Sequence, residues 1–210
     1  MLVKITELKN GIFEFVGSAF IIDPGYLITV AHNLLIDTAV VLDNFYVSFD
    51  DVNLAISKLP QLVMEFKDIS TYKNNECIYL DLAIFDMRSN LPKIDLPKLS
   101  TDALLLEEQV LVTGFSNNGN DYNEIIAKVT FPNFAWSNGP YADGKLRYQF
   151  ENCFRLEELT FPGNSGSPIL KDNTIIGMVC FGSAIKLDKN PTSGTAALKT
   201  SYLLEYIKNF

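Results

Sequence analysis

The sequence predicts an all-β protein of two halves followed by one short C-terminal helix, and three observations carry that prediction. The apolar segments are short and rich in Val, Ile, Phe and Tyr, as half-buried strands are. Turn chemistry separates them: Asp23-Pro24-Gly25, Asn117-Asn118-Gly119, Asn138-Gly139 and Asp143-Gly144 each supply a preset turn or a positive φ. Near the middle lies a stretch from Arg88 to Asp102 with two prolines and little alternation.

Taken in order, the strand-like segments before that stretch are FEFVGSAFII, YLITVAH, AVVLDNFYVSF, QLVMEFKDI and CIYLDLAIFDM. After it come QVLVTGF, EIIAKVTF, LRYQFENCF and TIIGMVCFG. The proline-bearing stretch therefore reads as a crossover that divides the chain into 1–98 and 99–210, with about six strands on each side, a barrel or sandwich pattern rather than βαβ units. The tail TSYLLEYIKNF breaks the rule: Tyr202, Leu203, Tyr206, Ile207 and Phe210 recur at helical spacing behind a Thr/Ser start, which predicts a helix packed on the body.

The totals exclude several function classes. With 17 Lys and Arg against 25 Asp and Glu the formal net charge is −8, so neither nucleic acid nor an anionic membrane is an expected partner. Cys77, Cys153 and Cys180 are too few and too scattered for a disulfide framework, which fits a reducing compartment. The opening MLVKITELKN lacks the apolar core of a signal peptide, and no run reaches the ~18 apolar residues of a membrane helix. These features predict a cytoplasmic protein.

A zinc site is disfavoured by the single histidine and the lack of a Cys-x-x-Cys pair, so no metal or cofactor is expected. Gly139, Gly144 and Lys145 mimic a phosphate loop, but Leu146 stands where a hydroxyl should meet magnesium. What remains is His32, in GYLITVAHNLL. A histidine at the end of a buried strand is more often structural; here it emerges where an apolar strand meets a loop, as a general base must. Ser165, in PGNSGSP, reads either as a hairpin residue or as a nucleophile raised on a bend between Gly163 and Gly166. The amides of Gly163 and Ser165 would form an oxyanion hole. The orienting carboxylate is Asp81, flanked by apolar residues in IYLDLAIFDM, with Asp86 as its competitor.

The segments GSAFII, LITVAHNL, LDLAIF, GNSGSPIL and IIGMVCFG, in this order and spacing, resemble the landmarks of the chymotrypsin-like serine peptidases over nearly the whole chain. The resemblance implies two six-stranded antiparallel β-barrels, a site between them, and the C-terminal helix. It implies His32 as general base, Asp81 as its orienting acid and Ser165 as nucleophile, with Gly163 and Ser165 amides for the oxyanion. It also implies that Cys180, Phe181, Gly182 and Ser183 pair with substrate backbone and wall the specificity pocket, beside Leu159 and Thr160. Secreted digestive relatives seat a new N-terminal amine on an aspartate just before the serine; Asn164 stands there, so the chain looks closer to the bacterial branch of HtrA-type and glutamyl-endopeptidase-type enzymes, active without cleavage. Cys180 replaces a serine of many relatives, which questions one hydrogen bond to Asp81.

Leu159, where basic-specific relatives keep an aspartate, argues against cleavage after Lys or Arg unless Glu157 or Glu158 reaches the pocket. Small or apolar P1 residues are expected, with Thr160 as the one residue favouring a glutamyl alternative. The leading reading is thus an intracellular bacterial serine endopeptidase acting on a protein or peptide. The alternatives are an inactive peptide-binding relative and a protease switched on by a regulatory protein partner in stress or anti-phage defence.

Overall fold

A computed structural model describes residues 1–36, 39–49, 52–66, 81–91, 94–116, 119–137, 149–158, 160–183 and 194–210. The first half holds β1 (Leu2–Lys9), β2 (Ile12–Ile22), β3 (Tyr26–Thr29), a 3₁₀ turn (Ala31–Leu34), β4 (Leu35–Ile36), β5 (Ala39–Val40), β6 (Phe45–Phe49), β7 (Val52–Ala55), a second 3₁₀ turn (Ile56–Lys58), β8 (Gln61–Phe66) and β9 (Asp81–Asp86). The second half holds β10 (Gln109–Ser116), β11 (Asp121–Ser137), β12 (Gln149–Leu156), β13 (Pro168–Lys171), β14 (Thr174–Ser183), β15 (Gly194–Lys199) and the helix α1 (Thr200–Ile207).

The second half is a closed six-stranded barrel, in the order β10-β11-β12-β15-β14-β13. The first is a seven-stranded curled sheet, β7-β6-β1-β2-β3-β9-β8, with β4 and β5 as a separate pair. Its closure departs from the expected six-stranded barrel for a local reason. Between the edge strands β7 and β8 the chain makes the second 3₁₀ turn in place of a ladder, and Ile56 and Leu59 there are buried in the first-half core.

Strand alternation sorts the apolar residues into three cores. On β3 and β9, Leu27, Ala83 and Phe85 face the first-half core with Phe45 and Val47, while Ile28, Leu82 and Ile84 face the other way. That second face meets Met178, Cys180, Leu198 and Leu203 from the second half and its helix. The barrel interior is a third core around Val112, Phe154, Ile169 and Val179. β3 and β9 are thus apolar on both faces, which explains their unbroken hydrophobic runs. Burial of a side chain such as Phe20 or Ile84 contributes about 1.5–3 kcal/mol. The seam between the halves is therefore apolar beneath whatever sits at its rim.

The helix forms where the spacing predicts it, with Leu203 buried and Tyr202, Tyr206 and Ile207 against the seam; Phe210, beyond its end, is exposed. Thr200 does not cap it but donates to the Ser100 and Ile176 carbonyls, tying the helix to the crossover. Cys77 and the turn signals at Asn138 and Asp143 lie outside the described residues, as does the Gly139–Leu146 stretch. Among the described residues no helix is long and apolar enough to cross a membrane.

Candidate active site

The ladder between β3 and β9 pairs Thr29 with Ala83, so Asp81 falls opposite Ala31, where the strand has already given way to the first 3₁₀ turn. That turn brings two nitrogens of His32 onto one carboxylate. The backbone N–H donates to Asp81 Oδ1 at 2.8 Å, and the ring Nδ1 lies 2.5 Å from Oδ2. A carboxylate only accepts, so Nδ1 carries the proton and Nε2 of the neutral ring carries the lone pair. The Asp81 side chain is 1% exposed and that of His32 29%, so the carboxylate is withdrawn from water while the ring keeps an open edge. Burial pushes the imidazole down, and the Asp81 charge and hydrogen bond push it up by more, for a net upward shift.

Asp86, the competing carboxylate, is elsewhere engaged. It accepts from the Arg88 backbone at 2.9 Å and from the guanidinium Nε at 3.0 Å, and that hydrogen bonding holds it below the ordinary carboxylate range. Cys180 answers the question its position raised. Its thiol is buried close enough to feel the Asp81 charge, yet its S–H is aimed at the Met178 carbonyl at 3.7 Å. Among the described residues, the Asp81 carboxylate takes its hydrogen bonds from His32 alone.

Ser165 rides a turn whose peptides are pinned one by one. Its carbonyl accepts from the Ser18 N–H at 2.9 Å and from Asn33 Nδ2 at 3.0 Å. The Gly166 N–H donates to the Val179 carbonyl at 2.8 Å, Ser167 N–H to the Asn164 carbonyl at 2.8 Å, and Asn164 N–H to the Phe161 carbonyl at 3.0 Å. By contrast, the N–H groups of Gly163 and Ser165 find no acceptor among the described residues. Gly163 and Gly166 hold φ of +98° and +83°. A Cβ on Gly166 would stand 2.1 Å from the Ser18 carbonyl oxygen, and one on Gly163 2.6 Å from the Phe15 ring, so neither position admits a side chain. The Ser165 hydroxyl makes no hydrogen bond to a described residue; in substrate-free sites such contacts are often long and tighten on binding. Because Asn33 follows His32 directly, histidine and serine turn share one anchor across the seam.

This architecture has known counterparts. A sequence profile of the family described as Trypsin matches residues 5–202. The chain belongs to the trypsin family. Among solved structures, it is similar to the active form of the Rv3671c protease from M. tuberculosis, with a TM-score of 0.66 and 19% identity over 99% of this chain and 79% of that one. The HtrA-type protease AlgW with decapeptide gives a TM-score of 0.64 at 16% identity, covering 99% of this chain and 63% of that chain. The serine endoprotease from Yersinia pestis gives 0.60 at 14%, covering 99% and 61%. The chain thus spans under two thirds of the length of those last two proteins. No curated protein sequence matches it significantly.

The trypsin-family turn is locked here without charge. Asn164 is fully buried; its Oδ1 accepts from the Phe161 N–H at 2.8 Å, and its Nδ2 donates to Asn123 Oδ1 at 3.1 Å and to the Phe115 carbonyl at 3.5 Å. A carboxylate there would keep the first bond and set its other oxygen against two acceptors. Asn164→Asp is therefore expected to lower stability by about 3–5 kcal/mol at neutral pH, read by urea unfolding. The loss should shrink as the pH falls to the unfolded carboxyl's pKa, where both states carry the proton.

Of the specificity residues, Thr160 is buried and donates its N–H to Thr195 Oγ1 at 3.1 Å, while the Thr195 hydroxyl donates to the Glu158 carbonyl at 2.9 Å. Thr195 is a trypsin-family pocket candidate that sequence reasoning missed; one threonine in an alanine-rich strand carries no signal. Cys180 to Ser183 end β14 and pair with β15, Phe181 with Ala196, Gly182 with Thr195 and Ser183 with Gly194. Leu159 lies outside the described residues.

Proposed function

We propose that this trypsin-family chain is a serine endopeptidase working through His32, Asp81 and Ser165. The observation that carries the reading is the Asn33 side chain on the Ser165 carbonyl at 3.0 Å, which seats the serine turn beside an imidazole already bound to Asp81. His32 Nε2 takes the Ser165 proton as the oxygen attacks a peptide carbonyl. The developing oxyanion is held by the free N–H groups of Gly163 and Ser165. The imidazolium, stabilised by Asp81, protonates the departing amine, and water then releases the acyl group by the reverse path.

P1 residues are small or apolar. Supporting this, the Thr195 hydroxyl is buried and engaged with Thr160 and the Glu158 carbonyl, and Glu158 has its Oε2 on the Lys128 N–H at 2.8 Å, away from any cationic guest. A peptide or unfolded protein segment is the substrate, and a regulatory partner is the natural restraint. Cys153 and Cys180, buried and in no disulfide, favour a reducing, cytoplasmic setting in a bacterial cell. A fluorophosphonate probe tests the reading: the purified protein gains the adduct mass on the Ser165 peptide and Ser165→Ala does not. Absence of label in the presence of candidate peptides would favour a peptide-binding role.

A further inference from the structure

We propose that Ser18 is a positioning residue for the oxyanion site, a role that rests on the proteolytic reading above. Ser18 belongs to β2 of the first half, and it is fully buried. Each of its polar groups is engaged. Its N–H donates to the Ser165 carbonyl at 2.9 Å, and its carbonyl accepts from Thr29 Oγ1 at 2.8 Å and Asn33 Nδ2 at 3.2 Å. Its hydroxyl accepts from the Phe115 N–H at 3.1 Å and donates to the Gly163 carbonyl at 2.9 Å.

The hydroxyl is the informative part, because it links strand β10 to the serine turn of the opposite half, and no other described residue holds the Gly163 carbonyl. The Gly163–Asn164 peptide is fixed at one end by the Asn164 N–H on Phe161 and at the other by Ser18 Oγ. Gly163 has no Cβ and sits at φ +98°, so its own backbone offers little resistance to rotation. With that peptide held, rotation about the Gly163 Cα–C bond is blocked, and the Gly163 N–H, which belongs to the preceding Pro162–Gly163 peptide, loses one of the two rotations that would turn it away from the oxyanion. A hydroxyl that accepts from one amide while donating to a carbonyl is also polarised by the first bond, which strengthens the second. The brace acts on the transition state and not on peptide binding, so its loss falls on kcat.

Ser18→Ala leaves the Phe115 N–H and the Gly163 carbonyl without partners. It is expected to lower kcat, and the rate of fluorophosphonate labelling, by about 30-fold with KM within about twofold. Ser18→Thr keeps the hydroxyl but adds a methyl at a fully buried position; it should melt lower than the alanine variant yet recover most of kcat when assayed well below its Tm. That opposite ordering of stability and turnover is what a merely structural serine would not produce. A kcat for Ser18→Ala within about threefold of wild type, or losses in both variants that track their stability, overturns the brace. If the wild type neither labels nor cleaves, the proteolytic reading fails and amide exchange decides the brace by itself. Exchange at Asn164 and Phe115 at least about tenfold faster in Ser18→Ala supports it, and unchanged exchange at both overturns it.

Discussion

Replacing His32 with alanine lowers kcat by about 10⁶, and making the same change in a chain that already carries Ser165→Ala lowers it no further. In the proposed mechanism the two residues share a single proton transfer, so removing either end removes the whole step. No substitute base exists, since His32 is the chain's one histidine. Nor can Asp81 act directly: its carboxylate faces the His32 N–H groups and is almost fully withdrawn from solvent. A residue of about 10³–10⁴-fold acceleration over water should persist in all three variants, supplied by the Gly163 and Ser165 amides and by substrate binding. Single-turnover cleavage of a fluorogenic peptide, with protein freed of contaminating proteases by affinity capture, measures the cycle. Additive losses would mean that the two side chains serve separate steps.

Asp81→Asn is the second large effect, expected at about 10⁴ in kcat. The His32 backbone N–H needs an acceptor at Oδ1, where the present bond is 2.8 Å, so the amide oxygen takes that place. The amide nitrogen then faces Nδ1 and forces it to accept, which moves the ring proton to Nε2, where the lone pair is required. The pH profile shifts as well. The proposed mechanism demands the neutral imidazole, and the Asp81 charge and hydrogen bond outweigh burial to raise its pKa. The acid limb of kcat/KM therefore lies above the ordinary imidazole value in the wild type and moves to lower pH in the variant, where burial acts unopposed. Asp86→Asn is the control, with kcat within about twofold of wild type, because Asp86 serves Arg88 at the opposite end of β9.

The features legible in the sequence were those that break a pattern. Asp81 interrupts an apolar run, His32 ends one, and Ser165 sits between two glycines, which the structure holds at positive φ. The helix announced itself by its change of period. What escaped notice was polar chemistry that conforms to its surroundings. Ser18 and Asn33 look like ordinary small residues at a strand and its turn, and only the register that folds β2 and β3 together reveals that both point at the Ser165 turn. β15 escaped for a different reason. Gly194-Thr195-Ala196-Ala197-Leu198-Lys199 has weak strand propensity, and pairing on both sides with β12 and β14 overrides it. β1, although alternating, was not recognised as a strand, and the seventh strand of the first sheet depends on how β6 turns back at Phe49, a matter of tertiary fit.

An ion-pair lock under a serine loop is only as durable as its charges: it weakens with ionic strength and fails when an α-amine, with a pKa near 8, gives up its proton. The Asn164 amide has no proton to lose in that range and no charge to screen. Competence of this loop should accordingly persist into alkaline buffer and concentrated salt.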